Sequence, residues 1–293
     1  MAPRLLLVDN WSSRRSVRSM SSLQFVDGDP RLAVAVEGSG PPVVFLHGIG
    51  GNRSNWRRQV ADLSMSFTCF AWDARGYGDS ANYDGPLDFS SFGDDMARLL
   101  DHFGIAQAHF VGLSMGARIL MDFAPRHLDR VATLTLCDCF YGFTNALSPE
   151  KQREYIELRE RPLLAGKTFA DLAPRLIASL VSPNCPQDIQ EELRQSILQL
   201  RVDSYLKTLR ASTTFDQADV LDQLTMPVQL IFGSEDQLTP PSLGHDLNEL
   251  LPNAQLEVLD GAGHLSNLEA PTAFNATVQT FIAQHRSLAS FAE

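Results

Sequence analysis

The sequence contains no apolar run near the length of about twenty residues that a membrane-crossing helix needs. It has no excess of base either. Its 24 Lys and Arg stand against 35 Asp and Glu, for a net charge of −11. A nucleic-acid partner is therefore not expected, since neutralising phosphates takes a basic stripe. Docking on an anionic membrane is disfavoured for the same reason. A phosphate-cradling loop is also missing: there is no P-loop Lys-Ser/Thr and no Gly-x-Gly-x-x-Gly opening a helix. Cysteine is scarce. Cys137-x-Cys139 lacks the two-residue spacing and the second ligand pair of a metal or redox site. Cys69, Cys137, Cys139 and Cys185 are read as reduced thiols of a cytoplasmic protein. No His/Cys/Asp cluster has metal-ligand spacing, so neither a metal nor a cofactor is expected.

What remains is a chain of 293 residues, long enough for an α/β core with an insertion. Its first 22 residues, "MAPRLLLVDNWSSRRSVRSMSS", are Arg- and Ser-rich and nearly free of acids. They loosely resemble a transit peptide and are expected to form a flexible extension outside the fold. From residue 31 a strand–turn–helix rhythm begins. "RLAVAVEG" alternates, and "PPVVFLHG" is a short apolar run suited to a buried parallel strand. A helix is predicted over 54–65, a strand at "FTCFAW" and a helix over 88–103, with Phe92, Met96, Leu99, Leu100 and Phe103 at helical spacing. A strand at "AHFVGL", a helix over 115–124 and a strand at "VATLTL" follow. Residues 140–221 change texture: Glu/Lys/Arg/Leu-rich helical stretches are divided by prolines, with no strand-like run. The rhythm returns with "MPVQLIFGSED", a helix over 241–250, "AQLEVLDGAGH" and a helix over 267–285. The expectation is an α/β fold with a mostly parallel sheet flanked by helices. Residues 23–139 and 222–293 would form the core, and 140–221 a helical cap over the strand ends, where ligands bind in such folds.

The stretch "HFVGLSMGARI" puts Gly112-x-Ser114-x-Gly116 between a strand and a helix. A nucleophile on a sharp strand-to-helix bend needs that context, with small flanking residues where backbones pass closely. A seryl hydroxyl also needs a base, and the base an orienting carboxylate. His264, on the Gly-rich loop "LDGAGHLSN", follows the last strand and is the expected base. His102, His109, His127, His245 and His285 lie in or beside elements and read as packing or surface residues. Asp236 in "FGSEDQLTP" is the expected acid; Asp138, after "VATLTLC", is the alternative. The backbone N–H groups of Met115 and Ile49 are the expected oxyanion donors. His47, Trp56, Phe140, Tyr141 and Phe143 are the expected pocket walls. "DARGYGDS", with Asp73 and Arg75, reads as a structural turn rather than a site.

The segments "VVFLHGIGG", "WDARGYGDS", "HFVGLSMG", "FGSEDQLTP" and "GAGHLSNLEAPTAFN" together resemble α/β-hydrolase-fold serine hydrolases over roughly residues 31–139 and 222–285. "AHFVGLSMG" and "GHLSNLEAPTAFN" look most like 3-oxoadipate enol-lactone hydrolases, which open a small lactone bearing a carboxylate. The resemblance implies a Ser114–Asp236–His264 triad, no cofactor and a helical cap. A small ester or lactone is the expected substrate, and a monomer or homodimer the expected state. His47-Gly48-Ile49-Gly50-Gly51 has the form common in esterases and carbon–carbon bond hydrolases. The alternatives on this fold are a hydrolase of meta-cleavage diketones, a cofactor-free oxygenase and a ligand receptor.

Overall fold

The computed structural model describes residues 22–143 and 147–292. Its strands lie side by side. In chain order these are β1 (Ser22–Val26), β2 (Leu32–Gly38), β3 (Pro42–Leu46), β4 (Thr68–Trp72), β5 (Ile105–Leu113), β6 (Val131–Cys137), β7 (Val228–Gly233), β8 (Ala254–Leu259) and β9 (Ser290–Phe291). β3, β5, β6 and β7 are buried at the centre, and β1, β8 and β9 are more exposed. The sheet runs β1-β2-β4-β3-β5-β6-β7-β8, with β9 beside the start of β5. β3 to β8 pair in parallel, while β1 and β2 add an antiparallel edge. Ser22, counted above with the leading segment, begins β1; residues 1–21 lie outside the described residues.

Helices cover both faces: α1 (Arg57–Leu63), α2 (Ser91–His102), α3 (Met115–Arg126), α8 (Pro241–Leu250), α9 (Ser266–Glu269) and α10 (Pro271–Gln284). The helix expected over 54–65 divides into a 3-10 turn, Arg53–Trp56, and α1. The helix expected over 267–285 divides at Ala270, because the residue before a proline avoids helical angles; Ala270 sits at φ −122°, ψ 52° and Pro271 opens α10. The apolar stripe of α2 buries Phe92, Met96, Leu99 and Leu100. Full burial of such a side chain is worth about 1.5–3 kcal/mol, so this face fixes α2 on the sheet.

Between β6 and β7 come α4 (Pro149–Leu164), α5 (Phe169–Leu180), α6 (Gln187–Leu198) and α7 (Val202–Thr214). Ser148 caps α4, and Thr168 with Asp171 forms a reciprocal cap on α5. The two ends of this segment meet: Gly142 bridges Asp216, and the Gln217 N–H donates to Tyr141 O at 2.9 Å. The four helices thus leave and rejoin the sheet at one neck.

Candidate active site

The chain leaves β5 at Leu113 and bends at once into α3, with Ser114 at φ 52°, ψ −109°. Such angles cost a residue with a side chain roughly 1–3 kcal/mol and persist only where the surroundings fix them. Here the Ser114 N–H donates to Cys137 O on β6 at 2.8 Å, and its carbonyl accepts from Arg118 N at 3.1 Å. Both flanking glycines are required. A Cβ on Gly116 would lie 2.2 Å from Leu46 O, and one on Gly112 would lie 2.6 Å from Ala117 N. Ser114 therefore stands at the end of the sheet, against the positive end of α3.

Two loops away, the Gly-rich turn after β8 carries His264 and the turn after β7 carries Asp236. His264 Nδ1 is 2.8 Å from Asp236 Oδ2. The second oxygen of Asp236 accepts the N–H groups of Leu238 (2.8 Å) and Thr239 (3.0 Å), while Thr239 Oγ1 donates to Oδ2 at 2.7 Å. Burial opposes a charge on Asp236, but the hydrogen bond and charge of His264, with the Thr239 donors, hold its carboxyl below the usual range. Burial likewise opposes a charge on His264, and Asp236 outweighs it, so the imidazole titrates above its ordinary value.

Asp138 makes no direct hydrogen bond to His264. It sits behind the pair at φ 46°, accepting from Gly233 N at 2.8 Å and from Ser266 Oγ at 2.5 Å. Burial, with the nearby charge of Asp236, pushes its pKa up to about 7 against the pull of His264. The structure brings Asp236 rather than Asp138 to the imidazole.

The loop after β3 approaches Ser114 from the other side. Its approach is close at Gly48, where a Cβ would meet Ser114 Cβ at 3.3 Å, a tight contact. His47 shapes the loop: Nε2 accepts Ala74 N–H at 3.1 Å, so Nδ1 carries the proton and donates to Gly48 O at 2.9 Å. Burial keeps it neutral. Ile49 borders the void in front of Ser114, and Met115, first in α3, has an N–H with no intrahelical acceptor. A buried amide network then ties this loop to the far end of the chain. Asn267 Nδ2 donates to Asn55 O, and Gln59 Nε2 to Asn267 O and Asn275 Oδ1, all at 2.9 Å.

Two mainly apolar cavities meet at Ser114, of about 160 and 290 Å³. Both are bordered by Ile49, Tyr155, Arg159, Tyr205 and Leu238. The smaller reaches His264; the larger reaches Met115, Phe140 and Phe143, whose rings pack edge to face at 4.6 Å. His47, Trp56 and Tyr141 are not on either wall. His47 is spent on the loop. Trp56 is fully buried against Phe45 and Phe274, and Tyr141 packs on the core at the neck of the inserted helices. Sequence reasoning missed Tyr155, Arg159 and Tyr205. Tyr155 and Arg159 are one helical turn apart and so share a face, but α4 carries no strong apolar stripe to show which face points inward.

The inserted helices also grip the His264 loop. The His264 N–H donates to Leu180 O at 2.8 Å, and Glu269 accepts the N–H groups of Gly263 (3.1 Å) and Ser182 (2.9 Å). By contrast Asp73 and Arg75 serve structure. Asp73 accepts the N–H groups of Arg53 and Asp79, and Arg75 pairs with Asp95 at 2.7 and 2.8 Å. The four cysteines are free and buried. Among the described residues no helix is long and apolar enough to cross a membrane. Nor does any group of three His, Cys, Asp or Glu side chains among them have the arrangement to hold a metal ion.

This geometry has relatives. The chain is 29% identical over 239 residues to 3-oxoadipate enol-lactonase 2 of Acinetobacter baylyi, covering 82% of this chain and 87% of that one. Its fold matches a thermophilic esterase from Thermogutta terrifontis with a TM-score of 0.81 at 27% identity, over 92% of this chain and 100% of the other. It matches the enol-lactonase from Burkholderia xenovorans LB400 with a TM-score of 0.78 at 26% identity, over 89% and 100%. Residues 41–271 fit the family pattern described as the alpha/beta hydrolase fold. That span runs from the start of β3 to the foot of α10 and takes in every loop that meets at Ser114, so the chain belongs to the α/β-hydrolase family and is a hydrolase.

Proposed function

We propose that the chain is a serine hydrolase of small esters or lactones, acting through Ser114, His264 and Asp236. One observation carries the reading: the 2.8 Å His264–Asp236 contact borders the cavity into which a serine is bent at positive φ. In this reading His264 Nε2 takes the Ser114 proton as Oγ attacks the acyl carbon. The N–H groups of Met115 and Ile49 stabilise the tetrahedral oxyanion. His264 then protonates the departing oxygen, and water releases the acyl group by the same steps in reverse order. Asp236 holds the imidazole in the tautomer that leaves Nε2 free. Water is the only co-reactant, and no cofactor is needed.

Residues 140–221 act as a cap that closes the site and selects the substrate. Likeness to enol-lactonases favours a substrate bearing a carboxylate. Arg159 supports this. Its guanidinium lies 3.4 Å over the Tyr155 ring and donates to Tyr155 O at 3.2 Å. It borders both cavities, and the ion pairs among the described residues do not include it.

The test is a panel of p-nitrophenyl esters, small lactones and a ring-cleavage diketone, with wild type, Ser114→Ala and His264→Ala. Each variant is expected to lose roughly three or more orders of magnitude in kcat on esters or lactones while keeping the fold. Retained turnover by Ser114→Ala rules out the covalent route. Turnover of the diketone above the esters moves the reading to carbon–carbon cleavage.

A further inference from the structure

The loop that carries His264 is fastened at two successive residues. His264 itself is held by its side chain to Asp236 and by its backbone N–H to Leu180 O, the last residue of α5. One residue earlier, Gly263 gives its N–H to Glu269, and the other oxygen of that carboxylate takes the N–H of Ser182. A single side chain thus joins the residue before His264 to the inserted helices. The contact is backbone against backbone. A Cβ on Gly263 would lie 2.5 Å from Ser182 N and 2.8 Å from both Val181 C and Glu269 Oε1. Glu269 is itself fixed at the end of α9, with its N–H on Leu265 O at 3.0 Å. At the start of that turn, Ser266 is held by Asp138.

We propose that Glu269 is a positioning residue: by bridging the Gly263 and Ser182 amides it sets the His264 loop against the inserted helices, so that the imidazole meets Ser114 only while those helices are docked. The inference rests on the reading of His264 as general base. A carboxylate suits the task, because it accepts two N–H groups at once in a charge-assisted geometry. An uncharged amide of the same size keeps one acceptor and presents donors where the second is needed. Glu269 borders neither cavity at Ser114, so its effect must pass through the loop. Its charge has a second consequence. His264 is faced by Asp236, Asp138 and Glu269, and Glu269 is faced in turn by the Cys185 thiol. All three carboxylates favour the imidazolium, against its burial. Removing Glu269 therefore moves the titration of His264 downwards.

The experiment measures kcat, KM and the acid limb of kcat/KM on p-nitrophenyl butyrate for wild type, Glu269→Gln, Glu269→Ala, Ser114→Ala and His264→Ala. Thermal melts run on the same samples. Glu269→Ala is expected to lower kcat about tenfold to a hundredfold, the scale of a displacement near 1 Å, with KM changed less than about threefold. Glu269→Gln is expected to recover part of kcat, and both variants to shift the acid limb to lower pH. If Glu269→Ala fails to fold, Glu269→Gln decides by the same two readouts. A fall in melting temperature with kcat and the acid limb unmoved overturns the proposal, because the residue then only packs. If His264→Ala keeps most turnover, it is the general-base reading that fails; if Ser114→Ala keeps it, the covalent route fails. If both lose it and the Glu269 variants do not, only the positioning role fails.

Discussion

Substituting Gly116 by alanine tests whether close approach of backbones at the bend sets the catalytic geometry. The added Cβ would lie 2.2 Å from Leu46 O and 2.7 Å from Leu46 C, where ordinary contact begins at 3.4 Å. The neighbour is backbone, so no side-chain rotation relieves the clash. β3 and α3 must separate by about 1.2 Å, the shortfall between those two distances. Leu46 lies three residues before Ile49, so the strain is delivered to one proposed oxyanion donor while Met115, on α3, carries the other. A misplacement of about 1 Å at a reacting centre costs about a hundredfold in rate. Overpacking of a core costs about 1–3 kcal/mol, or roughly 2–5 °C in Tm for a chain of this size. The assay is kcat on p-nitrophenyl butyrate at 25 °C, where the variant remains folded, with Tm measured alongside. The expected outcome is kcat lowered about a hundredfold in a folded protein. If kcat stays within threefold of wild type while Tm falls, the bend tolerates the separation and the oxyanion argument is wrong.

Three further outcomes are expected. Because His264 titrates above its ordinary 6.5 and must be neutral to act as base, the acid limb of kcat/KM falls above that pH. Asp236→Asn moves the limb down and lowers kcat by about 10⁴, and a limb that stays put separates Asp236 from His264. Asp138, with its folded pKa raised to about 7, holds a proton that the unfolded chain has released between about pH 4 and 7. Its contribution to stability therefore declines as pH rises through that window. Asp138→Asn flattens that decline in Tm-against-pH scans, yet lowers kcat far less than Asp236→Asn; the opposite ranking moves the acid role to Asp138. Arg159→Ala lowers the ratio of kcat/KM for a p-nitrophenyl hemiglutarate over p-nitrophenyl butyrate about tenfold or more, the scale of one charge-assisted hydrogen bond. An unchanged ratio removes Arg159 from carboxylate recognition.

The strands and the loops that follow them were legible because each is a local pattern. A buried parallel strand reads as an apolar run, and Ser114 and Asp236 stand just beyond such runs, while His264 follows β8, a half-exposed strand marked out by the Gly-rich turn after it. α8 was read at 241–250, where a proline marks the first turn. β1 and β9 escaped because edge strands this short and exposed carry no continuous apolar signal. The choice between Asp236 and Asp138 was open in sequence because both follow strands. Only the packing of β6 beside β7 shows that Asp138 faces Gly233 and Ser266 while Asp236 faces the imidazole. Trp56 and Tyr141 were misjudged for a related reason. An aromatic side chain near a site loop serves core and cavity equally well in sequence, and its direction is a tertiary fact. Arg159 lay hidden among the other arginines of residues 140–221 because its distinguishing feature, a place at the cavity wall with no ion pair among the described residues, is spatial.

The amide network from Asn55 through Asn267 to Asn275 joins helical segments drawn from opposite ends of the chain. As a result, neither half of the molecule holds a working set of groups. A cut at the exposed turn 165–168, where Gly166 takes φ 89° with open space around it, would divide the site cleanly. One fragment would keep Ser114 and the two proposed oxyanion donors, Ile49 and Met115, and the other the His264 imidazole and the Asp236 carboxylate. Ester turnover by the mixed fragments would then report their reassociation directly, with no separate label. The buried side-chain amides of Gln59 and Asn267 would act as the adhesive that makes complementation specific.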